Sequence, residues 1–104
     1  LGKLSSNIDA RPGINNNKAL HTIAVYTKDF TGSLKVQGTM SSNPTSATDY
    51  FDITMTDAAS ATNTFTNSTT VTNFNFTGVY QSVRFTWDND PDNTGIVDKI
   101  LFRQ

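Results

Sequence analysis

Two apolar runs near the C-terminus, Val79–Trp87 and Ile96–Phe102, constrain the fold more than any other part of the chain. In the first, Val83, Phe85 and Trp87 alternate with Ser82, Arg84 and Thr86. A repeat of two marks a strand with one face buried and the other in water. The second run sets Ile96, Ile100 and Phe102 on one face, with Val97 and Leu101 on the other beside Lys99 and Arg103. Between the runs lies Asp88-Asn89-Asp90-Pro91-Asp92-Asn93-Thr94-Gly95, which is almost pure turn chemistry. This linker is too long for a two-residue turn, so it predicts either a hairpin loop or a short crossing between two sheets.

The rest of the chain favours the same class. All nine acidic residues are Asp, and Glu, a strong helix former, is missing. Thr, Asn and Ser crowd the sequence, and they suit pleated surfaces and turns. A chain of 104 residues is one domain, predicted over residues 1–104. Folding at this size hides somewhat over ~60% of the extended chain's surface. With no Cys there is no disulfide frame, and the redox compartment cannot be read. A net charge of −1, with Lys3, Arg11, Lys18, Lys28, Lys35, Arg84, Lys99 and Arg103 scattered, argues against nucleic acid as a partner. No apolar run approaches the roughly 18 residues of a membrane span, so no membrane partner is expected. The start at Leu1, without a signal peptide, reads as a processed or excerpted chain.

Leu1–Ser6 predicts a short edge strand, and Asn7–Asn17, with Pro-Gly and an Asn triplet, predicts a loop. Leu20–Thr27 carries apolar residues on both faces, as a central strand covered on both sides or crossing the core would. Lys28–Gly32 is expected to turn. Leu34, Val36, Gly38 and Met40 then share one face of a strand, and Phe51, Ile53 and Met55 share the inner face of another. The Thr-rich stretch Thr56–Asn73 predicts one or two thin edge strands around Phe65 and Val71, and Phe74 and Phe76 follow on one face. The prediction is therefore an all-β, antiparallel β-sandwich, jelly-roll-like, of roughly seven or eight strands.

Chemistry is harder to find. His21 is the sole histidine, sits mid-strand, and has no G-x-S-x-G serine to serve, so it reads as a satisfied strand residue. Asp88, Asp90 and Asp92 have the spacing of a calcium loop, but Asn93 stands where Gly is needed and Lys99 where a bidentate Glu is needed. A solvated turn is the simpler reading. Asp49 and Asp52 resemble a carboxylate pair yet sit where turn formers belong. Asn67-Ser68-Thr69 and Asn75-Phe76-Thr77 are glycosylation-type triplets that matter only in a secreted eukaryotic protein. Trp87, Tyr80 and Tyr50 are the aromatic residues from which a sugar platform could be built, although the alternation turns Trp87 inward. No catalytic, cofactor-binding or metal-binding residue is assigned, and the chain is expected not to be an enzyme.

One resemblance rests on specific residues. FTGSLKVQGTMSSNPTSATDYFDI (Phe30–Ile53), followed by NFNFTGVYQSVRFTWDNDPDNTGIVDKILFRQ (Asn73–Gln104), is similar to a β-sandwich module of tailed-bacteriophage virion structural proteins. The likeness is to marine phages and those infecting cyanobacteria. The matching positions are Phe76–Tyr80, Val83-Arg84 and Thr94–Leu101. The short interval from Trp87 to Gly95 and the polar stretch Thr56–Asn73 depart from it. The resemblance implies a virion component (capsid decoration, head fibre or tail part) that contacts other virion proteins and itself, without catalytic residues or cofactor. The alternative function is a carbohydrate-binding module for host-surface recognition. On its strand, Asp98 or Lys99 is expected to reach Arg84 across a shared face.

Overall fold

The computed structural model describes residues 2–9 and 20–103. Nine strands follow in order: β1 (Gly2–Leu4), β2 (Ile8–Asp9), β3 (Leu20–Lys28), β4 (Phe30–Thr39), β5 (Phe51–Ile53), β6 (Asn63–Ser68), β7 (Val71–Thr77), β8 (Ser82–Asn89) and β9 (Ile96–Arg103). All pairings are antiparallel and make two sheets that pack face to face as a β-sandwich. The larger sheet places β1 and β2 along one edge of β8, then β8 and β4, then β5 and β6 along the far edge of β4. The smaller sheet runs β7-β3-β9. One strand beyond the expected seven or eight comes from β2, inside the stretch predicted as loop. The rest of that stretch, from residue 10 on, lies outside the described residues.

The core is the alternation made physical. Ile23 and Val25 of β3 meet Phe30, Leu34 and Val36 of β4 and Val83 and Phe85 of β8, all fully buried. Phe76, Ile53, Met55 and Phe65 complete the cluster. Each such side chain stabilises the fold by about 1.5–3 kcal/mol through burial alone.

Several predicted details change. β3 is central, as predicted, but covered on one face only: His21, Ile23, Val25 and Thr27 are buried, while Ala24 and Tyr26 lie on the outer side. The turn predicted over Lys28–Gly32 shrinks to Asp29, at φ 51°, and Phe30 is already a buried residue of β4. Asp adopts this left-handed conformation more readily than most residues because its short side chain can bond locally. β4 ends at Thr39, which leaves Met40 64% exposed. Phe51, the first residue of the short edge strand β5, is also exposed.

The two C-terminal runs do not form a hairpin. β8 lies in the larger sheet and β9 in the smaller, so the linker is a crossing. Val79, at the start of the first run, stays outside β8 and is exposed. In β9 the register slips between Tyr26↔Lys99 and Thr27↔Val97, so Asp98 is an extra residue. This bulge flips the faces beyond it. Val97 joins Ile100 and Phe102 against the core, and Ile96 is turned out to 43% exposure.

Candidate functional site

Three regions carry polar or exposed apolar groups in quantity: the outer face of each sheet and the corner where the sheets exchange strands. On the outer face of the larger sheet, cross-strand neighbours Gln37 and Asp52, and Gln37 and Arg84, are set directly opposite by register. The Gln37 amide donates to Asp52 Oδ1 at 2.9 Å, and Arg84 Nε donates to Gln37 Oε1 at 2.9 Å. Lys35 Nζ lies 3.4 Å from Asp52 Oδ2, an exposed pair worth about 0–1 kcal/mol. The Arg84 guanidinium sits 3.7 Å from the centre of the Tyr50 ring, whose hydroxyl donates to Asn7 Oδ1 at 2.8 Å. Gln37, and then Lys35, hold the Asp52 carboxyl below the usual aspartate range. The result is a continuous polar ladder. Arg84 is thus engaged within its own sheet, and the expected pairing with Asp98 or Lys99 does not form because β9 belongs to the other one.

The linker 88–95 is a polar lock. Asn93 Oδ1 accepts from Thr31 N at 3.1 Å, from Gly95 N at 3.2 Å and from Asn89 Nδ2 at 2.8 Å. Asn93 Nδ2 donates to Asp29 O at 3.1 Å, and Asn89 Nδ2 also reaches Gly95 O at 2.7 Å. A Cβ on Gly95 would lie 1.9 Å from Asp29 O, so the two chain segments approach as only Gly allows. Asp88, Asp90 and Asp92 all point to solvent, and among the described residues no group of three or more His or Asp side chains is placed to hold a metal ion. Amides organise this turn.

His21 is fully buried between Phe76 and Phe102, with ring centroids at 4.9 and 5.6 Å. The Gly78 carbonyl at 2.9 Å can only accept, so Nε2 carries the donated proton. Nδ1 is buried without a partner among the described residues, so the histidine expected to be satisfied is bonded through one nitrogen only. Tyr80 closes this end: its ring packs on Phe76 and Phe51, and its hydroxyl donates to Thr77 O at 2.9 Å. Burial raises the Tyr80 pKa above the ordinary tyrosine value.

Trp87, Tyr80 and Tyr50, the candidate aromatic residues for a sugar platform, are not brought together. Tyr50 is stacked under Arg84 outside the larger sheet, Tyr80 plugs one end, and Trp87 lies opposite Leu34 on the inner side. Asp49 and Asp52 are likewise apart in role, since Asp49 accepts from Thr45 N at 2.8 Å and Ser46 N at 3.2 Å and caps a short turn. Those main-chain bonds, Thr45 first, lower its pKa. Asn67 and Asn75 are both exposed.

The outer face of the smaller sheet is the region that sequence reasoning missed. Ala24, Tyr26, Val71, Ile96 and Leu101 are grouped on it by the β7–β3–β9 register, and Leu20, on the same face, is set apart from them by the row Asn75, Thr22 and Arg103. Leu20, Val71, Ile96 and Leu101 are each 40–47% exposed. Lys99 lies 4.5 Å from the Tyr26 ring centre. The outward position of Leu101 was readable from the alternation, but the side-by-side grouping needed the strand order. Comparison of the chain with protein-family models, curated proteins and solved structures finds no match.

Proposed function

We propose that this protein is a non-enzymatic structural module of a virion, a capsid decoration, head fibre or tail component, acting through contacts with other virion proteins and with itself. The observation that supports contact is the outer face of the three-stranded sheet, where exposed Val71, Ile96 and Leu101 flank Ala24 and Tyr26. Contiguous apolar surface of this kind is what protein–protein interfaces bury. The virion setting draws its support from the sequence resemblance over Phe30–Ile53 and Asn73–Gln104. Light scattering after size exclusion tests the reading. The expected result is concentration-dependent assembly that Val71→Glu with Leu101→Glu abolishes while the melting temperature is kept. A strictly monomeric protein at high concentration counts against it.

A second reading, a carbohydrate-binding module, is favoured by the polar ladder. Asp52, Gln37 and Arg84 present fixed donors and acceptors beside the Tyr50 ring, the mix of planar polar groups and aromatic surface that sugars use. A glycan array with no hit removes it.

A further inference from the structure

The two sheets are unequal in a specific way. Taking strands edge to edge, the larger sheet has the succession β5/β6, β4, β8, β1/β2, and the smaller has β7, β3, β9. Phe65 of β6 meets Phe74 of β7, at 6.4 Å between ring centroids. Trp87 and Phe85 of β8 face Val97 and Ile100 of β9. The smaller sheet therefore runs out beneath β8, and nothing in it lies opposite β1 and β2 among the described residues. In that place is a cleft of about 320 Å³, walled by Ile8, Phe85, Trp87, Val97 and Ile100. Its rim carries Ser5, Ser6, Asp98 and Lys99.

Among the described residues, no strand pairs with the edge of β9 beside this cleft. Among the described residues, its outer side makes no main-chain hydrogen bond to another segment. The bulge at Asp98 limits the regular edge to Lys99–Arg103. A row of unpaired N–H and C=O groups next to an apolar cleft is the arrangement that accepts an added strand. On the outward side of that edge, Lys99 and Arg103 flank Leu101, and neither has a carboxylate partner among the described residues.

We propose that β9 accepts an extended strand from another protein, one whose side chains alternate between apolar residues and carboxylates. The apolar side chains enter the Trp87 cleft and complete the smaller sheet. The carboxylates meet Lys99 and Arg103 on its outer face. A second copy of β9 in the twofold register centred on Leu101 sets Lys99 against Arg103. Like charges directly opposite in a sheet repel. This deepens the reading of the protein as a contact module, and rests on it, by naming the kind of segment the module takes.

The test uses a capped peptide of alternating valine and glutamate, long enough to span Lys99–Arg103. Trp87 is the only tryptophan, so its fluorescence reports the cleft directly, and amide exchange by NMR reports the β9 edge. The expected result is a blue shift of Trp87 together with slowed exchange at alternate amides of Lys99–Arg103. Lys99→Glu with Arg103→Glu weakens this about tenfold or more and transfers the preference to a valine–lysine peptide. Equal binding of both peptides by the unaltered protein, or no change in β9 exchange at millimolar peptide, overturns the proposal. A dimer that Lys99→Glu strengthens also overturns it, since the vacancy would then belong to a second copy. The contact reading fails separately: if the peptide protects β9 but the protein never assembles, the strand site stands and self-association falls. Assembly through Val71 and Leu101 with no peptide effect gives the reverse.

Discussion

The two ends of the sandwich fasten the sheets together by opposite means. At one end, three of the crossings between sheets come together: Asp29 between β3 and β4, Thr69-Thr70 between β6 and β7, and residues 90–95 between β8 and β9. They are tied by directional bonds, with Asn93 and Asn89 gripping Asp29, Thr31 and Gly95. Thr69 Oγ1 accepts from Asp29 N at 2.8 Å, and Thr31 Oγ1 accepts from Asn67 N at 2.8 Å. At the other end, Gly78–Gln81 carries the chain across, and packing of His21, Phe76, Tyr80 and Phe102 holds the join. Directional bonds fail singly and expensively, because each removal strands a polar group. Ring packing is non-directional and yields more gently.

Four substitutions test that contrast. Gly95→Ala has the largest effect, since its Cβ would overlap the Asp29 carbonyl and the main chain itself would have to move. We expect a loss of about 3 kcal/mol or more, seen in urea unfolding. Asn93→Ala leaves Thr31 N, Gly95 N and Asp29 O without their partner, for about 2–3 kcal/mol. A loss below half of that would mean water replaces the amide and the lock is not distinctive. At the aromatic end, His21→Phe removes both the bond to Gly78 O and the unpartnered Nδ1. These offset, and the change is expected within about 1 kcal/mol. The mildest is Tyr80→Phe, about 0.5 kcal/mol at neutral pH.

Alkaline pH separates the ends further. The folded pKa of Tyr80 is raised by burial, so the folded state keeps a proton that the unfolded chain gives up. Stability is then whole below the ordinary tyrosine pKa and falls as pH rises through the folded value. Tyr80→Phe should flatten that fall in thermal unfolding curves. An equal slope in both proteins would place the alkaline sensitivity elsewhere.

Much of the fold was legible. Val83, Phe85, Leu34 and Val36 announced buried faces by alternation, and Phe65 and Val71 marked two strands inside a stretch that looks like low complexity. Errors clustered where the period breaks. Val97 and Ile96 exchanged faces because a single extra residue at Asp98 resets the register, and nothing in the local sequence demands a bulge there. Met40 was placed inside by counting, whereas the strand had already ended at Thr39. The site was less legible than the fold. The calcium-like spacing of Asp88, Asp90 and Asp92 drew attention to the carboxylates, but the neighbouring amides of Asn89 and Asn93 hold the turn.

Period and composition by themselves determined that this chain is all-β and most of the residues that line its core, because side-chain alternation is a local property of an extended backbone. Only the tertiary structure decided which sheet each strand joins, and with that the Arg84–Gln37–Asp52 ladder, the exposed face around Tyr26 and the vacancy beside β9. Strand order is settled by contacts between distant segments, and a pattern that repeats every two residues is indifferent to which neighbour it meets.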